Sequence, residues 1–450
     1  GVGLKLAHPT ACCQGERWPS CLGMGMCCLL RWAALLIAAQ GVKGSSFLRQ
    51  HRSASSSANA YRVEMRNFKG VQYSSPVLLG GQAIRGILDS GSWQVVAISS
   101  RCVACKVHMP VYNSAKSATF KMGHAAPETH QFVGGHVLAK HGYESVRLGG
   151  SSSPFASENV DFWEILETDV DIWRTGQADF SAIVGLSRAS HVPAWQGGPL
   201  VPALLERLHV QSFAICLEPG PANPGWLTFN PAVVDLGPGT FRSLSLISAN
   251  HWAIPLSDVR LGGERFCTRK CVAIIDSGTS ALAVPLWAYA RMKAVISKIH
   301  SDCDDLKALP SLDLQLGDQT FSLPPSAYTV QLLDSAADAG SPRPRICFPA
   351  FMQLNISTTM GDLWLLGMPF LRHFYTIFDR AAHKIHVAEQ GAGCMPARLN
   401  TSSEAAGGFF VPHKSFGNST TTASAKPTLV DMTAARLPTW ATGHDIQLDL

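Results

Sequence analysis

Asp89-Ser90-Gly91-Ser92 follows the apolar pair Ile87-Leu88, and Asp276-Ser277-Gly278-Thr279 follows Ala273-Ile274-Ile275. A buried strand that breaks at Asp-Ser-Gly puts a carboxylate on a tight turn, where glycine lets a neighbouring backbone pass close by. Two such turns set face to face would bring two carboxylates together around one water. Each motif is followed, at nearly equal remove, by an apolar pair and a glycine. These are Ile183-Val184-Gly185-Leu186 after the first and Leu365-Leu366-Gly367 after the second. A duplication on this scale predicts two lobes of like fold, each giving one aspartate to a cleft between them. The bland alternative is a pair of ordinary tight turns in a β protein. It leaves the matched spacing of four elements unexplained.

Outward from these motifs, the chain has room for that plan: 450 residues hold two domains of ordinary size or one large bilobal unit. Only 15% of residues are charged, and 39 Gly with 27 Pro imply many turns, a balance that fits an all-β protein. The formal net charge is +5, but no basic run is interleaved with aromatics, which argues against a nucleic-acid partner. Part of the excess lies in residues 43–69, where Lys43, Arg49, Arg52, Arg62, Arg66 and Lys69 face Glu64 as the only acid.

Met24 or Met26 precedes an apolar run from Cys27 to Ala39, interrupted by Arg31, that ends in small residues before Gln40-Gly41. This reads as upstream sequence and a signal peptide over 1–39, cleaved near Ala39. A signal anchor would need an apolar run near twenty residues, and this one is shorter. Residues 40–60 are basic and Ser/Ala-rich, a short prosegment or linker. No later segment is long and apolar enough to span a bilayer, so no stable membrane span is expected after cleavage. The expected compartment is the secretory pathway, with the product secreted or held in an acidic vacuole or lysosome-like compartment. Asn355, Asn400 and Asn418 head glycosylation triplets that fit it.

Five of thirteen cysteines (Cys12, Cys13, Cys21, Cys27 and Cys28) lie in or before the leader. Two close pairs, Cys102/Cys105 and Cys267/Cys271, read as small-loop disulfides in an oxidising compartment. Zinc is the rival for Cys102, Cys105 and His108, but a structural site would need a matching pair at similar spacing nearby. A thioredoxin-like role for Cys102/Cys105 would need a βαβ context that is absent.

From Tyr61 the pattern is of short strands punctuated by Gly, Pro, Asn and Ser, including Arg62–Arg66 and Pro76–Leu79. Val201–Leu208 and Pro285–Ile299 are the helical stretches. Residues 398–450 dissolve into Gly, Ser, Thr, Ala and Pro and read as a disordered tail.

Taken together, these residues resemble the pepsin family of eukaryotic aspartic proteases from about Val63 to Val387. The resemblance rests on both Asp-Ser-Gly motifs, on Asn67-Phe68 with Gln72-Tyr73, on Phe213-Ala214-Ile215, and most specifically on Gly361–Gly367 and Phe370–Arg380. It implies a mainly β fold with few short helices: two pseudo-symmetric lobes, 61–235 and 236–397, about a central cleft. It implies a catalytic pair Asp89 and Asp276, with Gly91 and Gly278 in the turns. Ser92 and Thr279 match hydroxyls that bond the outer carboxylate oxygens, while Ser90 and Ser277 match threonines that cross-link the turns. Gln131–His136, with Phe132, Gly134 and Gly135, matches the hairpin flap that covers substrate. The resemblance also pairs Cys102/Cys105, Cys267/Cys271 and Cys303/Cys347, leaving Cys216 as a buried free thiol and Cys394 without a family partner. Three departures stand out. Phe132 replaces the usual flap tyrosine, Val96 replaces the tryptophan that bonds it, and Ser181-Ala182 replaces Asp-Gly.

Two carboxylates a hydrogen bond apart cannot both ionise cheaply and so share one proton. One then takes a proton from the water while the other donates to the scissile carbonyl. No metal and no cofactor is required. The expected activity is an acid-favouring aspartic endopeptidase acting as a monomer on peptide or protein substrates laid extended across the cleft. The alternative is a catalytically silent, pepsin-like peptide-binding protein. Such relatives lose an aspartate or a glycine of the motifs, and Asp89, Gly91, Asp276 and Gly278 are all present.

Overall fold

In the strand Tyr61–Phe68, Val63 and Met65 are buried while Arg62, Glu64 and Arg66 face water, the period of two that a half-buried strand requires. It pairs antiparallel with Gly225–Phe229 and then with Gln72–Leu79. Gly80 and Gly81, both at positive φ, form the two-residue turn that returns the chain as Gln82–Asp89. Such a turn favours glycine because its twist matches that of the strands. The computed structural model describes residues 60–124, 126–132, 135–220, 222–231, 239–296, 306–332, 346–354, 356–397, 428–430 and 446–448.

Strand Gln82–Asp89 runs parallel to Ala182–Gly185, which in turn pairs antiparallel with Val95–Val103. The second half repeats the device. Cys271–Ile275 lies parallel to Gly361–Leu366, and Leu282–Pro285 pairs antiparallel with that strand. Cys271–Ile275 is buried on both faces throughout, and Gln82–Asp89 over its last four residues, so each aspartate is preceded by a short apolar run.

Between the halves lies an antiparallel platform in the order Arg242–Ser245, Lys384–Gly391, Phe374–Asp379, Ser212–Leu217, Gly225–Phe229 and Tyr61–Phe68. Its core includes Phe213 stacked on Phe378 at 4.7 Å, with Trp252 edge-on to both. The fold is therefore mainly β, with bilobal pepsin-like architecture. Five α-helices occur among the described residues, the longest being Leu286–Ile296, which buries Ala288, Met292 and Ile296. Val201–Leu208 is only partly helical. Leu200–Pro202 pairs with His191–Pro193, and a helix follows at Leu204–Arg207.

One expectation is corrected. Cys216 is no free thiol: it bonds Cys394, and the pair sits buried beside Ala214, Tyr375 and Ile377 on the platform. Within 398–450, Thr428–Val430 pairs with Thr329–Leu332 and Ile446–Leu448 with Ile356–Thr358, and the rest of that segment lies outside the described residues. Each is a triplet with two large aliphatics, enough to continue an exposed sheet edge. The leader, the basic stretch to residue 59 and the three glycosylation asparagines lie outside the described residues. Among the described residues no helix is long and apolar enough to cross a membrane.

Candidate active site

Asp89 ends its strand and Asp276 directly follows Ile275, so both carboxyls emerge where buried strands break. Both aspartates are fully buried. Asp89 takes the Gly91 N–H on Oδ1 at 3.0 Å and the Ser92 hydroxyl on Oδ2 at 2.7 Å. Asp276 repeats the pattern, with the Gly278 N–H on Oδ1 at 2.8 Å and the Thr279 hydroxyl on Oδ2. The glycines are required by the opposite lobe. A Cβ on Gly91 would stand 2.6 Å from Asp276 Oδ1, and one on Gly278 would collide with Asp89.

Beneath the carboxyls the turns are laced together. Ser90 Oγ donates to Ile275 O at 3.0 Å and accepts from the Ser277 N–H at 2.9 Å. Reciprocally, Ser277 Oγ donates to Leu88 O at 2.6 Å and accepts from the Ser90 N–H at 3.0 Å. Four buried backbone groups are thereby satisfied by two side chains. The apolar-apolar-Gly elements close the arrangement: the Leu186 N–H donates to Asp89 O at 2.7 Å, and the Asp276 N–H to Leu366 O at 3.0 Å. Any Cβ on Gly185 would run into the Trp93 backbone, and one on Gly367 into Thr279 and Ala281. Trp252 of the second half donates its indole N–H to Leu186 O at 2.8 Å, a link sequence reading did not anticipate.

Burial, and then the negative charge of Asp89, push the Asp276 carboxyl well above the ordinary carboxylate range, against the Thr279 hydroxyl and the Gly278 N–H. Two carboxyls so placed cannot both ionise cheaply, because the second charge would be buried beside the first. Such a pair can serve as base and acid toward one water and one carbonyl.

The hairpin of Glu128–Phe132 and Gly135–Leu148 sets Phe132 opposite Gly135, and Gly134 lies outside the described residues. Beside its tip the His136 N–H binds Asp169 and holds that carboxyl below its usual range. Cys102–Cys105 and Cys267–Cys271 are disulfides, which spends the thiols that a zinc site with His108 would need. Cys347 is disulfide-bonded, and Cys303 lies outside the described residues. Ser181, in place of the usual Asp, donates its hydroxyl to Pro110 O at 2.5 Å.

Paired aspartates on cross-linked turns of two like lobes define the class, a pepsin-like β fold. The family model for eukaryotic aspartyl proteases matches residues 72–390, and the chain belongs to that family. It is 25% identical to pepsin A of Bos taurus over 72% of this chain and 86% of the pepsin. It is 26% identical to cathepsin D of Dictyostelium discoideum over 70% and 83%, and 24% identical to human cathepsin D over 72% and 82%.

Proposed function

We propose that this protein is an aspartic endopeptidase in which Asp89 and Asp276 share one proton and activate a water against the scissile carbonyl. The observation that carries the reading is the reciprocal burial of the two carboxyls, each against the other lobe's motif glycine and each bonded by a hydroxyl three residues on. Ser92 and Thr279 stabilise the ionised form, Ser90 and Ser277 keep the turns in register, and the hairpin bearing Phe132 covers the peptide. The substrate is an extended peptide segment, the enzyme acts as a monomer, and the disulfides suit a secretory or vacuolar compartment. Residues 61–235 and 236–397 are the lobes that supply one aspartate each.

The test is hydrolysis of a quenched peptide library at acid and neutral pH. It is run with and without a peptide inhibitor carrying a hydroxyl where the scissile carbonyl would stand. Acid-favoured cleavage that the inhibitor stops and a chelator leaves unchanged supports the reading. A folded protein that binds the inhibitor but cleaves nothing would support the silent binding alternative instead.

A further inference from the structure

Phe132 lacks the hydroxyl, and Val96 the indole, of the tyrosine–tryptophan hydrogen bond on which pepsins rest their flap. The structure puts a different contact at this place. His130, two residues before Phe132 on the same hairpin strand, packs edge-on against Trp163, with ring centroids 4.3 Å apart and planes at 69°. Trp163 is 3% exposed and stands in register with Val96 across the parallel pairing of their strands. Opposite His130 on the return strand is Val137, which shares a core cluster with Trp163, Val96, Ile87 and Ile183. Ile87 belongs to the strand that ends at Asp89, so one packed cluster runs from the hairpin to the aspartate turn.

Trp163 is itself fixed from behind. The His141 ring lies 5.1 Å from it, and Trp195 lies 5.4 Å from His141. His141 is fully buried: its Nδ1 accepts the His124 N–H at 3.0 Å, so its Nε2 carries the proton toward Asp161 Oδ1 at 3.3 Å. His124 stacks on Trp195 at 5.1 Å, and the Gln196 N–H reaches back to Glu128 on the hairpin. His130 stands at the hairpin end of this series. Its Nε2 is shut off from solvent with no hydrogen-bond partner among the described residues, so what the side chain contributes is ring packing. Burial accordingly keeps the imidazole below its ordinary range, with Glu128 opposing.

We propose that His130 is a positioning residue for peptide hydrolysis, holding the flap arm on Trp163 in place of the hydrogen bond this chain lacks. The proposal rests on the aspartic-endopeptidase reading above, because a flap matters only where substrate lies beneath it. An edge-to-face aromatic contact is worth enough to bias an arm this small, and its loss should slow catalysis about tenfold.

Two variants of the full chain test it, His130→Ala and His130→Phe, by peptide kinetics and by amide hydrogen exchange over residues 128–132. The expected result for His130→Ala is kcat/KM reduced about tenfold and hairpin exchange accelerated, with exchange at Ser90 and Ser277 unchanged. His130→Phe, which keeps a ring on Trp163, should restore both to within about twofold. Parent-like kinetics and exchange in His130→Ala would overturn the proposal. So would a His130→Phe protein as impaired as His130→Ala. The exchange readout needs no turnover: a parent that cleaves nothing while His130→Ala still loosens the hairpin would sink the endopeptidase reading and leave the anchor standing.

Discussion

The two motif glycines carry the tightest constraint at the scale of single residues. A methyl on Gly278 would occupy the space of the Asp89 carboxyl. Gly278→Ala should therefore push the turns apart and lower kcat/KM by about 10²-fold or more, since a shift of about 1 Å at reacting groups has that effect. Steady-state kinetics with a urea unfolding curve would show it, and a fully active Gly278→Ala enzyme would contradict the packing. The Asp276 carboxyl makes a second prediction. Its pKa is raised in the fold, first by burial and then by Asp89, so its contribution to stability is fully present below the ordinary carboxylate value and is lost as pH rises. Activity that needs the shared proton should fall in the same direction, toward neutral and alkaline pH. His251 and His373 act the opposite way. Burial lowers each to about 4, so each withdraws stability as pH falls from about 6.5 toward about 4. Thermal unfolding measured across pH should give a maximum between these limits, displaced to lower pH in Asp276→Asn if the sign is wrong and broadened upward if it is right. The aspartates and glycines were legible because their chemistry is local, written in four adjacent residues. His130 and Trp163 were not, since their meeting depends on a hairpin register and a strand pairing that no local pattern encodes.

At the scale of elements, the two turns depend on each other through Ser90 and Ser277. Removing either hydroxyl strips one buried N–H of its acceptor and one buried carbonyl of its donor, a loss of about 1–3 kcal/mol. Ser90→Ala and Ser277→Ala should each destabilise by that order, and the double variant should fall short of their sum. The hydroxyls also contact each other at 3.3 Å, so they form one network. Strict additivity in a double-mutant cycle on unfolding free energy would mean the turns are held by something else. The strands themselves could be read from turn punctuation and two-residue alternation. The helical reading of Val201–Leu208 was too generous. Its first residues satisfy their backbone by pairing with His191–Pro193, a partner that lies back along the chain and leaves no helical period to detect.

For the whole molecule, the Cys216–Cys394 disulfide spans 178 residues and ties the platform strand Ser212–Leu217 to the segment following Lys384–Gly391. Closing so long a loop removes denatured-state entropy worth up to about 5 kcal/mol. Cys216→Ser with Cys394→Ser should lower stability by a large part of that, readable as an earlier urea midpoint; an unchanged midpoint would deny the bond a stabilising role. Spacing in the sequence could not reveal it, because Cys394 reaches Cys216 from the turn after Lys384–Gly391, a strand that Phe374–Asp379 separates from Ser212–Leu217, rather than across a short loop. The duplication, by contrast, was visible throughout, since each half repeats motif, apolar pair and glycine for the same steric reason. The central claim is that Asp89 and Asp276 act as one unit, and kcat/KM of Asp276→Asn against the parent, alongside the unfolding temperature of both, tests it most directly. The expected result is a loss of about 10³-fold or more with the unfolding temperature kept or raised, because a buried like charge has been relieved. Activity within about tenfold of the parent in a folded Asp276→Asn protein would contradict it.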